Sequence, residues 1–206
     1  FFAVASGLNM SLAFYFSTYF WELSASQIAT VASTAIVGIL LAFVVVLPLS
    51  VRFGKKPAAM LMFGLSLISS ATPLMLRLGG LFPANGDPLL IWLLMGQFAF
   101  GLMTTIAGGI LAVSMVADVT DQIQLETGRR SEGLLFSAAT MVNKAISGMG
   151  IMLAGLLLAF VKFPENAQPG RVPTDALHGL ASIYMVVLSI ATIIAITCLA
   201  YYPISR

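Results

Sequence analysis

The chain has 206 residues, of which 59% are hydrophobic and 9% charged, with a formal net charge of +2. Its mean hydropathy is +1.00, whereas a soluble domain carries about 25% charged residues, so composition excludes a soluble globular protein and makes lipid the main solvent. Most of the few charges lie in or beside short connections and form no basic run, which argues against a nucleic-acid partner.

Six apolar segments are each long enough to cross a bilayer, which takes roughly 20 residues: 1–20, 28–49, 58–78, 88–117, 134–161 and 177–202. The expected fold is an all-α membrane protein, a six-transmembrane-helix bundle over residues 1–206. The first segment is apolar from Phe1, with no basic region or cleavage site before it. It is therefore not a signal peptide and reads as a fragment beginning inside or at the edge of a span. It carries Ser6, Asn9, Tyr15, Ser17 and Tyr19. Asn9 is the costliest of these to bury and either bonds across to another helix or lines a cavity. Tyr19 and Trp21 fit an interfacial aromatic belt.

Residues 52–57 join the second and third segments and hold Arg52, Lys55 and Lys56. Pro48 and Pro73 are candidate kinks. Residues 79–87 contain the Gly, Pro, Asn and Asp of a turn. Along the fourth segment Gln97, Gly101, Thr104 and Gly108 recur at helical spacing, which serves either close packing or cavity lining. Residues 118–133 form the longest charged connection, with Asp118, Asp121, Glu126, Arg129, Arg130 and Glu132. Acids and bases at facing helix ends can lock one conformation, or they form solvated pairs worth about 0–1 kcal/mol each.

The fifth segment holds the most telling residue. Ser137, Thr140, Lys144, Ser147 and Gly148 share one helical face, with Asn143 beside it. Lys144 lies about 15 Å into the segment, close to the midplane of a hydrocarbon core about 30 Å thick. A cation at that depth is expensive unless it meets water, a counter-charge or a ligand. The face reads as the lining of a polar cavity, the alternative being a structural ion pair. The sixth segment is mostly Ile, Val, Leu and Ala and reads as a peripheral, lipid-facing helix. Cys198 is the single cysteine, which rules out an internal disulfide.

More basic residues follow the even-numbered segments (Arg52, Lys55, Lys56, Arg129, Arg130, Arg206) than the odd-numbered ones (Arg77, Lys162, Arg171). The positive-inside rule places the first set, and both ends of the chain, in the cytoplasm. The leading function class is a secondary active transporter. An intramembrane enzyme is disfavoured: His178 is the single histidine and sits at an outer helix end, and no metal-ligand motif occurs. A non-transporting sensor or assembly protein that reuses the fold is the remaining class.

Residues 115–121 (Met-Val-Ala-Asp-Val-Thr-Asp), then Arg130, Glu132 and Gly133, then Phe136, Ser137 and residues 140–144 (Thr-Met-Val-Asn-Lys) resemble the glycoside-pentoside-hexuronide cation symporters. Residues 52–56 resemble a major-facilitator loop motif, with Val51 where that motif has an acid. The resemblance covers the whole chain and aligns it to the C-terminal half of a major facilitator fold. It implies a cation-coupled symporter of a sugar or related small solute, with lipid as the substrate in distant members. The resemblance places Lys144 in the central cavity and Asp118 and Asp121 in a cytoplasmic ion-pair network. With the residue reading above, the expected substrate and coupling cavity is Lys144, Thr140, Asn143, Ser137 and Asn9, and the expected cytoplasmic gating ion pairs are Asp118, Asp121, Glu126, Arg129, Arg130 and Glu132. No cofactor is implied. The coupling ion would be Na+ or H+, bound mainly by the N-terminal six-helix bundle, the implied partner besides solute and bilayer. The implied location is a bacterial inner membrane. Gly109 and Ala139 stand where the melibiose carrier of this family has a tryptophan and a glutamine.

Overall fold

The structure is a computed structural model that describes residues 2–127, 132–165 and 167–201. All regular structure among these residues is helical. The order is α1 (Phe2–Tyr15), a π-helical turn (Phe16–Phe20), α2 (Ala25–Ser33), α3 (Ala35–Phe53), α4 (Lys55–Leu78), α5 (Pro88–Thr127), α6 (Glu132–Phe160) and α7 (Thr174–Ala200). Five stretches are long and apolar enough to cross a membrane: Ala25–Phe53, Lys55–Leu78, Pro88–Gln122, Phe136–Phe160 and Thr174–Ala200. The π-helical turn extends α1 into a further apolar column packed along α6 and α7. The outward faces carry Ile36, Val37, Leu40, Phe43, Val44 and Leu47 on α3 and Ile151, Met152 and Leu156 on α6, all exposed. Contiguous apolar surface of this extent calls for a hydrocarbon solvent, and the chain is an integral membrane protein.

Local chemistry sets the helix ends. Ser24 and Gln27 form a reciprocal capping box: the Gln27 amide donates to Ser24 Oγ (3.3 Å) and the Ser24 amide donates to Gln27 Oε1 (2.8 Å). This starts α2 at Ala25, three residues before the segment expected from hydropathy. The column is broken at Thr34, whose Oγ1 donates to the Val31 carbonyl (2.6 Å), and resumes as α3. Gly54 turns the chain between α3 and α4 at φ 81°, a backbone angle open mainly to glycine. Asp87 accepts the Leu89 amide (2.8 Å), and Pro88 takes the first helical position of α5. Pro48 and Pro73 sit inside helices that continue through them.

The charged connection expected over 118–133 is largely helix. α5 runs 40 residues to Thr127, about 60 Å at 1.5 Å per residue, roughly twice the hydrocarbon thickness. Asp118 and Asp121 therefore stand on a helix end that outruns the membrane. The sixth segment, expected to be peripheral, buries Ala176, Leu180, Ala181, Tyr184, Leu188, Ala191 and Thr192 along one stripe of α7. A helix apolar all round does not reveal which side meets protein. The small residues on this stripe decide it, because they allow close backbone approach.

α6 packs along α1, α3 and α4 pack along α5, and α7 packs against α4 and α1. The α1–α6 and α3–α5 contacts both depend on glycine. A Cβ added to Gly7 would lie 2.5 Å from the Ser147 carbonyl oxygen of α6, and one added to Gly38 would lie 2.5 Å from the Ala99 carbonyl oxygen of α5. Two apolar clusters hold the bundle. One runs along α1 (Ala5, Leu8, Leu12), the π-helical turn (Phe16) and α7, and the other joins α3, α4 and α5 through Ala42, Ala58, Ala59, Phe63 and Leu111.

Candidate solute site

A cavity of about 410 Å³ separates α1 from α5. Its walls are Ser6, Asn9, Met10 and Ala13 on one side and Gln97, Phe98, Gly101 and Thr105 on the other. Phe63, Ser66, Leu67 and Ser70 of α4 and Leu188 and Thr192 of α7 form the floor. Ser66 stands 11 residues into α4, about 16 Å along the helix axis, so the cleft sits at mid-membrane depth.

Polar side chains in the cleft are held by the neighbouring helices. Asn9 Nδ2 donates to the Tyr184 hydroxyl (2.9 Å), tying α1 to α7. Ser66 Oγ and Thr105 Oγ1 lie 2.7 Å apart across the α4–α5 contact. Gln97 Nε2 donates to the Ser69 carbonyl and Ser69 Oγ donates to the Gln97 carbonyl, both at 3.3 Å. The stripe expected on α5 divides by role. Gln97 and Gly101 line the cleft. Thr104 is buried and donates to the Gly101 carbonyl (2.9 Å). Gly108 admits the Phe63 ring, which an added Cβ would meet at 2.6 Å.

The residues expected to share one cavity are not all brought together. Asn9 lines the cleft, whereas Ser137, Thr140 and Lys144 line a separate, shallow hollow on α6 with Phe136 and Met141. Lys144 is exposed, and it has no ion-pair partner among the described residues. Asn143 is also exposed, and its carbonyl accepts Ser147 Oγ (2.8 Å). Ser137 Oγ donates to the Leu134 carbonyl (3.0 Å). Ser66, Ser70 and Thr105 lie in the cleft but were not expected there. Their signal was the three- and four-residue spacing of Phe63, Ser66, Leu67 and Ser70 inside an apolar run.

At the opposite-charge end of the bundle, Lys55 Nζ reaches both carboxylate oxygens of Asp118 at 2.7 Å. The neighbouring Lys56 Nζ donates to the Ala200 carbonyl (2.7 Å). The α3–α4 corner thus clamps the ends of α5 and α7, and the partner of Asp118 lies within the same bundle. Asp121 is exposed. Arg129, Arg130 and Arg206, and the side chains of Glu126 and Glu132, lie outside the described residues. At the far end, Arg77 bonds the Pro83 carbonyl and Asn85 Oδ1, and Asn85 Nδ2 reaches the Phe20 carbonyl (3.3 Å).

A membrane bundle whose cleft sets amides and hydroxyls at mid-depth is compatible with a solute carrier. The sequence profile of the MFS/sugar transport protein family matches residues 1–206. The chain belongs to the MFS/sugar transport protein family. Membership of this transport family sets aside the intramembrane enzyme. The chain is also similar to the "Uncharacterized symporter YjmB" of Bacillus subtilis (strain 168), with 25% identity over 198 residues. That match covers 96% of this chain and 40% of the relative, so the chain spans well under half the relative's length. No solved structure matches.

Proposed function

We propose that this chain is the C-terminal six-helix bundle of a cation-coupled symporter that carries a sugar or related small solute by alternating access. One observation carries the reading: a cleft of about 410 Å³ at mid-membrane depth between α1 and α5, in whose largely apolar lining stand two amides and five hydroxyls. A polar cavity at that depth is costly in a purely structural bundle, and carriers bind solute near the midplane where repeats meet. The printed name of the Bacillus relative supports symport. An N-terminal bundle would close the open side of the cleft and supply most of the ligands of the coupling ion, Na+ or H+.

Lys144 would act through charge. It stands exposed on α6 near mid-depth, where an unpaired cation is unfavourable in lipid, so an acid of the other bundle or water in the pathway would face it. Thr140, Asn143 and Ser137 would accompany it. Asp118 and Asp121, with Glu126, Arg129, Arg130 and Glu132, would form the cytoplasmic gate of a bacterial inner-membrane carrier with both ends of this chain inside. The Lys55–Asp118 pair would brace this bundle as it rocks.

Uptake into proteoliposomes by the full-length protein tests the reading. Accumulation should follow an imposed Na+ or H+ gradient and collapse when the gradient is dissipated. Lys144→Leu should abolish accumulation while leaving insertion intact. Normal accumulation by that variant would overturn the role given to Lys144.

A further inference from the structure

We propose that the cleft between α1 and α5 selects an uncharged, polyhydroxylated solute over its carboxylated counterpart, and that the Ser66–Thr105 hydroxyl pair reads one of the solute's hydroxyls. This deepens the symporter reading and rests on it.

The first ground is charge. None of the residues lining the cleft is ionisable. A carboxylate held there would surrender its hydration at mid-membrane depth with no cation of this bundle to receive it. Lys144 lies in the separate hollow on α6. The structure thus divides the polar groups in two, a neutral cleft for solute and an exposed cation outside it.

The second ground is where the hydroxyls point. Ser11, Thr72, Thr104, Thr120, Ser147 and Thr197 all donate to a carbonyl of their own helix three or four residues back. Such a hydroxyl has already spent its proton. Ser66 and Thr105 instead bond each other across two helices at 2.7 Å. The pair leaves neither group stranded when the cleft is empty. Each hydroxyl offers one donor and two acceptor sites, so a solute O–H can join or replace the mutual bond without orphaning either partner. Asn9 and Gln97 have their amide nitrogens engaged by Tyr184 and Ser69, which turns their carbonyl oxygens into fixed acceptors for solute hydroxyls. Phe63 and Phe98 supply apolar ring faces for the C–H side of a sugar or polyol. The volume lies at the small end of ligand pockets, which span about 300–1,000 Å³, and suits a single sugar ring.

The test uses the full-length protein in proteoliposomes with an imposed cation gradient. The probes are aldose and uronate pairs that differ only at C6, D-glucose with D-glucuronate and D-galactose with D-galacturonate. We expect the neutral member of the transported pair to enter at least tenfold faster. Thr105→Val and Ser66→Ala should each raise its KM about tenfold, and the double variant should be no worse than either alone. Thr105→Ser, which keeps the hydroxyl, should restore KM and shows that the site still folds. Faster entry of the uronate would overturn the inference while leaving the symporter reading standing. An unchanged KM in both single variants would overturn the role of the pair. Absence of gradient-driven entry by every probe would overturn the sugar-symporter reading, and this inference with it.

Discussion

Single residues in this bundle are held by opposite constraints, and substitution separates them. Gly7 and Gly150 are fixed by backbone. A Cβ at Gly7 would meet the Ser147 carbonyl oxygen at 2.5 Å, and one at Gly150 would meet the Val4 carbonyl oxygen at 2.6 Å. Neither neighbour is the end of a flexible side chain, so Gly7→Ala and Gly150→Ala should each destabilise by about 1–3 kcal/mol, the range for overpacking. Gly64, which has nothing within 4 Å of an added Cβ, should accept alanine without loss. Thermal unfolding of purified protein would read the contrast, and equal effects at Gly7 and Gly64 would count against the α1–α6 packing described. Thr18 is the reverse case. It lies in the π-helical turn, where the Trp21 amide bonds back five residues to the Phe16 carbonyl (2.9 Å). Among the described residues, its Oγ1 is the one buried side-chain polar atom without a partner. Thr18→Val keeps the shape and removes the stranded hydroxyl, so stability should rise by about 1 kcal/mol. A loss of stability would mean that the hydroxyl has a partner in the membrane.

At the scale of elements, the end of α5 beside the α3–α4 corner is the feature most open to test. Lys55 and Asp118 meet at 2.7 Å and each keeps over a third of its side chain exposed. A double-mutant cycle with Lys55→Met and Asp118→Asn should give a coupling of about 0.5–1 kcal/mol, because solvent screens such pairs. A coupling of zero, with Asp118→Asn still impairing transport, would move the function of Asp118 to a partner outside this bundle. Hydropathy made the apolar segments legible, since transmembrane helices need little beyond length and composition. It leaves the charged end of α5 hard to place, because charge alone does not separate loop from helix, whereas helical hydrogen bonding continues past the lipid wherever no Gly or Pro interrupts it. The burial of α7 was hidden for a related reason: lipid and protein interior favour the same side chains. The cleft was half legible. Asn9 and Gln97 stand out in apolar surroundings, but Ser66 and Thr105 differ from the backbone-bonded Thr104 only in the direction of a hydroxyl. That direction is set by which helices meet.

For the whole molecule, under the proposed function, the neutral cleft and the exposed Lys144 would belong to a solute path shared with a second bundle. Both apolar clusters contribute to the cleft wall, Ala5 and Leu188 from one and Phe63 from the other, which would hold its polar groups in place if the bundle rocks as a unit. Solute contact in the cleft would then be separate from charge coupling at α6. Lys144→Leu should therefore uncouple accumulation without abolishing solute binding, measurable as retained protection of the cleft by solute alongside lost concentrative uptake. Loss of binding and uptake together would place Lys144 in the solute site itself. The central claim is that the cleft is a water-filled part of the solute path. It is tested most directly by introducing Ser66→Cys into the full-length protein with its native cysteines replaced by serine, and labelling with a membrane-impermeant maleimide. The account predicts labelling from the aqueous phase despite the depth of the residue, slowed by the transported solute. A cysteine at this position that stays unlabelled from both sides, with the protein folded and inserted, would contradict it.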